Sequence, residues 1–328
     1  MKASELSALP SFALLGPGFG GGGWTLLTDL RPAAGPPALL FAPYEARGAE
    51  ALRLDGDRRA LPALALDAPP AALAPALDAA GHGEAVGAIR EAIAAGDVYQ
   101  VCFTVRARLA PLSGAALLAA MCARGVPRFA AWVRLPGGAE LVSASPELLF
   151  AVAGARIRCE PMKGTAPRGA TGALTDSDKD WAELAMITDL VRNDLTPICV
   201  PRTVTVRDER RLIELAYAVQ TVSDVEGTLL PGITAVDALA ALHPGGSVTG
   251  APKAAAMAMI RRLEGSPRGP YCGALGLCQD DRAVVSLLIR TAARAPGGWV
   301  YGVGGGIVFD SDAAHELDEV RVKLGALG

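Results

Sequence analysis

The chain has 328 residues, 51% of them apolar, enough to bury a large core, and its length suggests about two domains. A net charge of −3 gives no basic footprint for nucleic acid, and no apolar run reaches the ~20 residues of a membrane span. The six cysteines, at 102, 122, 159, 199, 272 and 278, form no CxxC pair and no metal spacing with the three histidines, which points to a reduced, cytosolic protein without zinc, iron–sulfur or histidine-centred chemistry.

The N-terminus, MKASELSALPSFALLG, has only a short apolar run broken by Glu5, so no signal peptide is read there. Residues 16–21 match GxGxxG in form, yet Trp24 to Leu27 reads as a following strand, not as a helix able to hold pyrophosphate. A glycine-rich loop between strands is the better reading. Leu61 to Gly83, dense in alanine and proline, reads as a helical linker or a subdomain boundary, between a short N-terminal region, 1–82, that contributes to the fold and a main domain, 83–328. Glu84 to Ala95 is predicted as an amphipathic helix stopped at Gly96. Val98 to Leu109 then alternates, with Tyr99, Val101, Phe103 and Val105 on one face and Gln100, Cys102, Thr104 and Arg106 on the other. That polar face is either exposed to solvent or lines a pocket. Ala130 to Leu135 is a further strand.

From Ser145 to Gly169 the pattern is a hairpin: Glu147 after a Ser-Pro corner, a turn at Ala153-Gly154, a return strand, and Lys163 framed by proline and glycine. The stretch is either an ordinary surface hairpin or one that returns an acid and an amine to the same end of a sheet. A helix begins near Ser177, capped with Asp180, and its predicted apolar face is Met186, Ile187 and Leu190, flanked by Leu184 and Val191. Glu183 falls in the middle of that face and Asp194 at its far end. A carboxylate there needs a salt-bridge partner or a metal. Strands and short helices follow through Val200–Val206 and Leu212–Val225. Residues 243–253 imitate a P-loop without its Lys-Ser/Thr, and feed a helix from Ala254 to Leu263. Its N-terminus suits a carboxylate. Tyr271 to Gly276 and Ala283 to Ile289 read as neighbouring strands, the second delivering Arg290. Gly304, Gly305 and Gly306 let a ligand approach bare backbone. A last helix near Ser311 carries Glu316 and Glu319 three residues apart. With Glu183 these make a three-carboxylate set suited to Mg²⁺; alone, the pair is a solvated face with Lys323.

Over residues 83–328 the ordered segments GDVYQVCFT, SPELLF, PMKGTAPRG, DLVRNDL, GGSVTGAPK, YCGALG, IRT and GGGIVFDS resemble the chorismate-utilising enzymes, a family that includes anthranilate, aminodeoxychorismate, isochorismate and salicylate synthases. The resemblance implies an α+β fold of large, mainly antiparallel sheets packed between outer helices. It implies a Mg²⁺ site at Glu183, Glu316 and Glu319, a general acid at Glu147, and substrate-carboxylate contacts from Thr249, Tyr271, Arg290 and the Gly304–Gly306 backbone. Gln100 stands where the water-adding members carry a lysine base, which argues for ammonia as nucleophile. Lys163 stands where anthranilate synthases usually have alanine and aminodeoxychorismate synthases have lysine. The resemblance is therefore nearest the aminodeoxychorismate synthase component I branch: amination of chorismate at carbon four, with ammonia from a glutamine amidotransferase subunit, toward 4-aminobenzoate and folate. Anthranilate synthase component I is the alternative, and a noncatalytic ligand-binding protein built on the glycine-rich loops is a second. Two positions depart from the pattern: Cys102 replaces a common asparagine, and Gln220 a frequent histidine. No tryptophan-binding LLES-type segment is found.

Overall fold

Strand-forming residues in this chain come in short alternating runs, and nearly all of them join one hydrogen-bonded ribbon. The computed structural model describes residues 1–328 except 21, 48–49, 70–72, 167, 169–173, 175–177, 216–217, 326 and 328. The N-terminal stretch supplies β1 (Phe12–Leu15), β2 (Trp24–Pro32), β3 (Leu39–Ala42) and β4 (Leu52–Leu61). Then come β5 (Ala76–Asp78), α1 (His82–Ala94), β6 (Gln100–Leu109), α2 (Gly114–Met121), β7 (Phe129–Arg134), β8 (Glu140–Ser145), β9 (Leu148–Ala153), β10 (Arg156–Cys159) and β11 (Met162–Ala166). The rest is α3 (Asp178–Leu195), β12 (Thr205–Glu214), β13 (Val219–Thr228), α4 (Ala235–Leu242), β14 (Gly250–Ala251), α5 (Lys253–Glu264), β15 (Ala274–Gln279), β16 (Arg282–Leu287), β17 (Thr291–Ala295), β18 (Gly298–Ile307) and α6 (Ala313–Gly325).

Every pairing between these strands is antiparallel, and the ribbon is read in two halves. One half runs from β12 through β13, which pairs with both β10 and β11, to β9, β16, β15, β3 and β4. The other continues through β2, β1, β7, β8, β17 and β18 to β6, which also holds β5 and β14. Strand alternation sorts the apolar side chains. Ala13, Leu15, Ala131 and Val133 meet Leu39, Phe41, Leu275 and Leu277 between the halves. Leu14, Trp132, Val142 and Tyr301, one residue out of phase, pack outward with side chains of α1, α2, α5 and α6. Phe150, Val152 and Val285 pack with α3 and α4. The architecture is two antiparallel layers with helices outside.

Two of the places where the chain passes between the halves are adjacent, from β8 to β9 through Pro146-Glu147 and from β16 to β17 through Leu288-Ile289-Arg290. Leu287 N donates to Glu147 O at 3.1 Å and Ala144 N to Arg290 O at 3.0 Å. These bonds lock the crossings side by side, with Glu147 in one and Arg290 in the other.

Several expectations are corrected. Residues 61–83 form no helix before α1 among the described residues; β5 instead pairs Ala76–Asp78 with Arg106–Arg108 of β6. Of the strands and short helices expected through Val200–Val206 and Leu212–Val225, the first stretch gives only the start of β12 at Thr205, and the second is the close of β12 and most of β13, with no helix among its described residues. The buried side of α3 is Leu184, Ile187, Thr188, Val191 and Leu195, rotated from the predicted face. Thr188 is admitted because its hydroxyl donates to Leu184 O at 2.7 Å. The Ser177 cap lies outside the described residues. Tyr99 precedes β6 and is 65% exposed, while Gln100, Cys102 and Thr104 on the predicted polar face are buried.

Candidate active site

The site forms where the two ends of the ribbon meet at the crossings. β18 brings three glycines against β6, with Gly304 opposite Thr104, Gly305 opposite Phe103 and Gly306 opposite Cys102. Their bareness is used. A Cβ on Gly306 would stand 2.1 Å from Gln100 Nε2 and 3.2 Å from Lys163 Nζ. One on Gly305 would meet Glu316 Oε2 at 3.4 Å, and Glu319 Oε1 and Lys323 Nζ at 3.8 Å. Gln100 is 1% exposed, and its Oε1 has no hydrogen-bond partner, an acceptor aimed into a buried space beside that strand.

Lys163 comes from the opposite end of the ribbon. In β11 it pairs with Thr221 of β13, and the ladder shifts register immediately after it, where Gly164 adopts φ 68°. The approach to that bulge is held by the buried Glu160, which takes ion pairs from Arg128, Arg158 and Arg211, the last at 3.2 Å. Lys163 Nζ lies 3.4 Å from Glu183 Oε2, each side chain 14% exposed. Glu183 is therefore answered by Lys163. Asp194, at the far end of α3, is answered by Lys253 at 2.5 Å.

Glu147 is 5% exposed. Burial pushes its carboxyl up to about 7, opposed by the Ser247 hydrogen bond and the Lys163 charge. Ser247 Oγ donates to its Oε1 at 2.7 Å. Ser247 sits in a 3₁₀ turn, Gly246–Val248, ahead of Thr249. Thr249 is fully buried; its Oγ1 donates to Gly245 O at 3.0 Å, and its carbonyl accepts from Cys102 N at 2.8 Å. The Tyr271 ring lies on Gly302, where an added Cβ would come within 2.1 Å of it. Burial pushes the Tyr271 phenol well up, so it stays an O–H donor. Burial pulls the Arg290 guanidinium down, against the influence of Tyr301.

The carboxylates of α6 differ. Glu316 is buried and accepts from Ser311 Oγ at 2.6 Å. Glu319 is half exposed and pairs with Lys323 at 2.6 Å, whose amine also donates to Gly304 O at 2.8 Å. Among the described residues no three acidic, histidine or cysteine side chains are already gathered as a metal cluster. Sequence reasoning missed Ser247, Lys323 and the Lys163–Glu183 pair. Lys323 was visible only as an i+4 partner of Glu319, and Ser247 carried no local signal.

The chain matches the model of the chorismate binding enzyme family over residues 44–327. It is 43% identical to an anthranilate synthase component 1 of Haloarcula marismortui over 208 residues, 61% of this chain and 42% of that protein. It is 38% identical to an aminodeoxychorismate synthase of Streptomyces griseus over 261 residues, 76% of this chain and 36% of that protein. These matched stretches are less than half the length of either relative. The solved anthranilate synthase component I of Streptococcus pneumoniae TIGR4 superposes with a TM-score of 0.72 at 28% identity, over 80% of this chain and 60% of that one. MenF, the menaquinone-specific isochorismate synthase of Escherichia coli, shares the fold, with a TM-score of 0.79 at 16% identity over 98% of this chain and 89% of that one. With the family model matching most of the chain, residues 44–327, the chain belongs to the chorismate-binding enzymes.

Proposed function

We propose that the chain aminates chorismate at carbon four, giving 4-amino-4-deoxychorismate, as an aminodeoxychorismate synthase component I does. Lys163 carries this reading. Its amine stands beside Gly306 and Gln100, with the buried acid Glu147 close enough to feel its charge. Gln100 has no basic atom with which to activate water, so the nucleophiles are amines.

In this reading Lys163 Nζ bonds to ring carbon two. The ring double bonds shift and the carbon–oxygen bond at carbon four breaks. Glu147 supplies the proton that lets the hydroxyl leave as water, then takes up the proton shed by the new ammonium. Ammonia bonds to carbon four, the double bonds shift back, and Lys163 leaves with the proton from Glu147, which recovers it from the entering amine. The net change is chorismate plus ammonia to aminodeoxychorismate plus water. Arg290 and Tyr271 hold carboxylate oxygens by charge-assisted hydrogen bonds, with Thr249 and the Gly304–Gly306 backbone lining the same space.

Magnesium fits the donor set, because Glu183, Glu316 and Glu319 offer only carboxylate oxygens, two of them against the bare strand at Gly305. When bound, the ion supplies positive charge to a substrate carboxylate and makes the ring electron-poor. The amidotransferase partner, folate as destination and a cytoplasmic location belong to this reading. Amination at carbon two with loss of pyruvate, the anthranilate route, is the second reading, favoured by the Haloarcula relative.

Product identity decides between them. Purified protein given chorismate, Mg²⁺ and an ammonium salt should form a product that retains its enolpyruvyl side chain, read by mass spectrometry. Anthranilate and pyruvate in the same mixture would establish the second reading instead.

A further inference from the structure

We infer that Ser247 is a positioning residue for the acid: its hydroxyl holds Glu147 Oε1, so that Oε2 carries the proton delivered to the departing hydroxyl. The inference deepens the proposed amination and rests on Glu147 being its acid.

The geometry is built from both sides. On the Glu147 side, the backbone is fixed by the crossing: its N–H donates to Ser145 Oγ at 3.2 Å and its carbonyl accepts from Leu287 N. Ser145 in turn donates to Leu287 O, tying the two crossings together. The carboxyl group is almost wholly shielded from water. On the other side, the turn carrying Ser247 is clamped at both ends. Thr249 Oγ1 closes it on Gly245 O. Arg268 Nη1 donates to Val248 O at 2.6 Å, while its Nη2 donates to Cys102 O at 2.6 Å. Arg268 is itself paired with Glu264, both side chains 1% exposed. The turn also packs against α3: a Cβ on Gly246 would lie 3.3 Å from Leu190 Cβ. A serine on so fixed a turn, 2.7 Å from a carboxylate oxygen 100 residues away in sequence, sets the direction of the acid.

The chemistry follows from occupancy. A carboxyl group delivers its proton from one oxygen, and an oxygen already accepting a short hydrogen bond is the poorer place for that proton. With Oε1 held by Ser247, Oε2 is left to present the proton. The charged group bearing on Glu147 is Lys163 from β11, and β16 holds its carbonyl through Leu287 N. The Ser247 bond favours the ionised form, so its removal raises the titration of Glu147 as well as loosening its aim.

The test compares Ser247→Ala and Ser247→Thr in the full chain, with Glu147→Gln as spectral reference. In Ser247→Ala, kcat should fall about 10-fold to 100-fold, the apparent chorismate KM should stay within about twofold, and the alkaline limb of the kcat profile should move to higher pH. Ser247→Thr keeps the hydroxyl and should recover most of kcat. Infrared difference titration of the Glu147 carboxyl band, identified by its loss in Glu147→Gln, needs no turnover and should show a higher midpoint in Ser247→Ala. Equal loss in both Ser247 variants, or a raised KM at unchanged kcat, overturns the proposal. An unmoved band midpoint overturns it as well. A shifted band in a protein that releases anthranilate would support Ser247 while sinking amination at carbon four.

Discussion

At Glu147 burial outweighs both the Ser247 hydrogen bond and the nearby Lys163 charge, and the carboxyl titrates at about 7, against 4.5 for an ordinary one. The folded-state value lies above the unfolded one, so the native protein holds a proton that the unfolded chain releases from pH 4.5 upward. Stability contributed by this group is present below pH 4.5 and is lost as pH rises through 7. A shift of this size corresponds to about 3 kcal/mol. Glu147→Gln keeps the shape without the charge. Urea unfolding at pH 8 should find that variant more stable than wild type by up to about 3 kcal/mol, the difference vanishing near pH 4.5. Chorismate turnover should fall at least ~10²-fold, the usual effect of losing a positioned acid. Parallel stability curves across that pH range would show that the carboxyl is not held as described.

The triglycine element separates two uses of a missing side chain. In Gly304→Ala the Cβ would lie 2.1 Å from Phe103 O, a backbone atom of the paired strand β6. Overpacking against backbone should destabilise the fold by about 1–3 kcal/mol, read as a lowered Tm. In Gly306→Ala the Cβ meets side-chain ends, Gln100 Nε2 and Lys163 Nζ, which can shift. That variant should keep its Tm within a few degrees yet raise the chorismate KM at least ~10-fold. Identical behaviour of the two would mean that Gly306 is not part of the substrate wall. Elements of this kind were legible in the sequence because their meaning is local: the alternation of β6, the β9–β10 hairpin, and the glycines opposite β6. What was hidden depends on tertiary partners. The outward alternation at Tyr99 breaks because β6 begins one residue later, and α3 turns its face because Thr188 satisfies its own hydroxyl. Ser247 gains its role from a carboxylate that only the fold brings near.

At the scale of the whole molecule, the N-terminal region up to residue 82, expected from the sequence to contribute to the fold, is part of one continuous ribbon. β1 lies between β2 and β7, and β3 between β4 and β15, so the N-terminal strands occupy the middle of the ribbon. Ala13, Leu15, Phe19, Leu27, Leu30, Leu39, Phe41 and Leu54 supply nearly half of the buried side chains between the two layers. Glu45 accepts from the backbone N–H groups of Arg268 and Gly269, and Tyr44 lies over the Arg268 guanidinium at 4.4 Å, so the same stretch braces the turn beneath Thr249. A chain beginning at residue 83 would expose the edges of β7 and β15, and an apolar layer with nothing to cover it. Expressed alone, residues 83–328 should therefore aggregate or lack a cooperative unfolding transition, whereas the 328-residue chain should show one. Supplying residues 1–82 as a second chain during refolding should recover part of the soluble material, because the missing strands pair by backbone hydrogen bonds that do not require covalent continuity. A soluble 83–328 fragment with native near-ultraviolet circular dichroism and a sharp melt would show that the catalytic layers close without the N-terminal strands, against the placement of β1 and β3 in the ribbon.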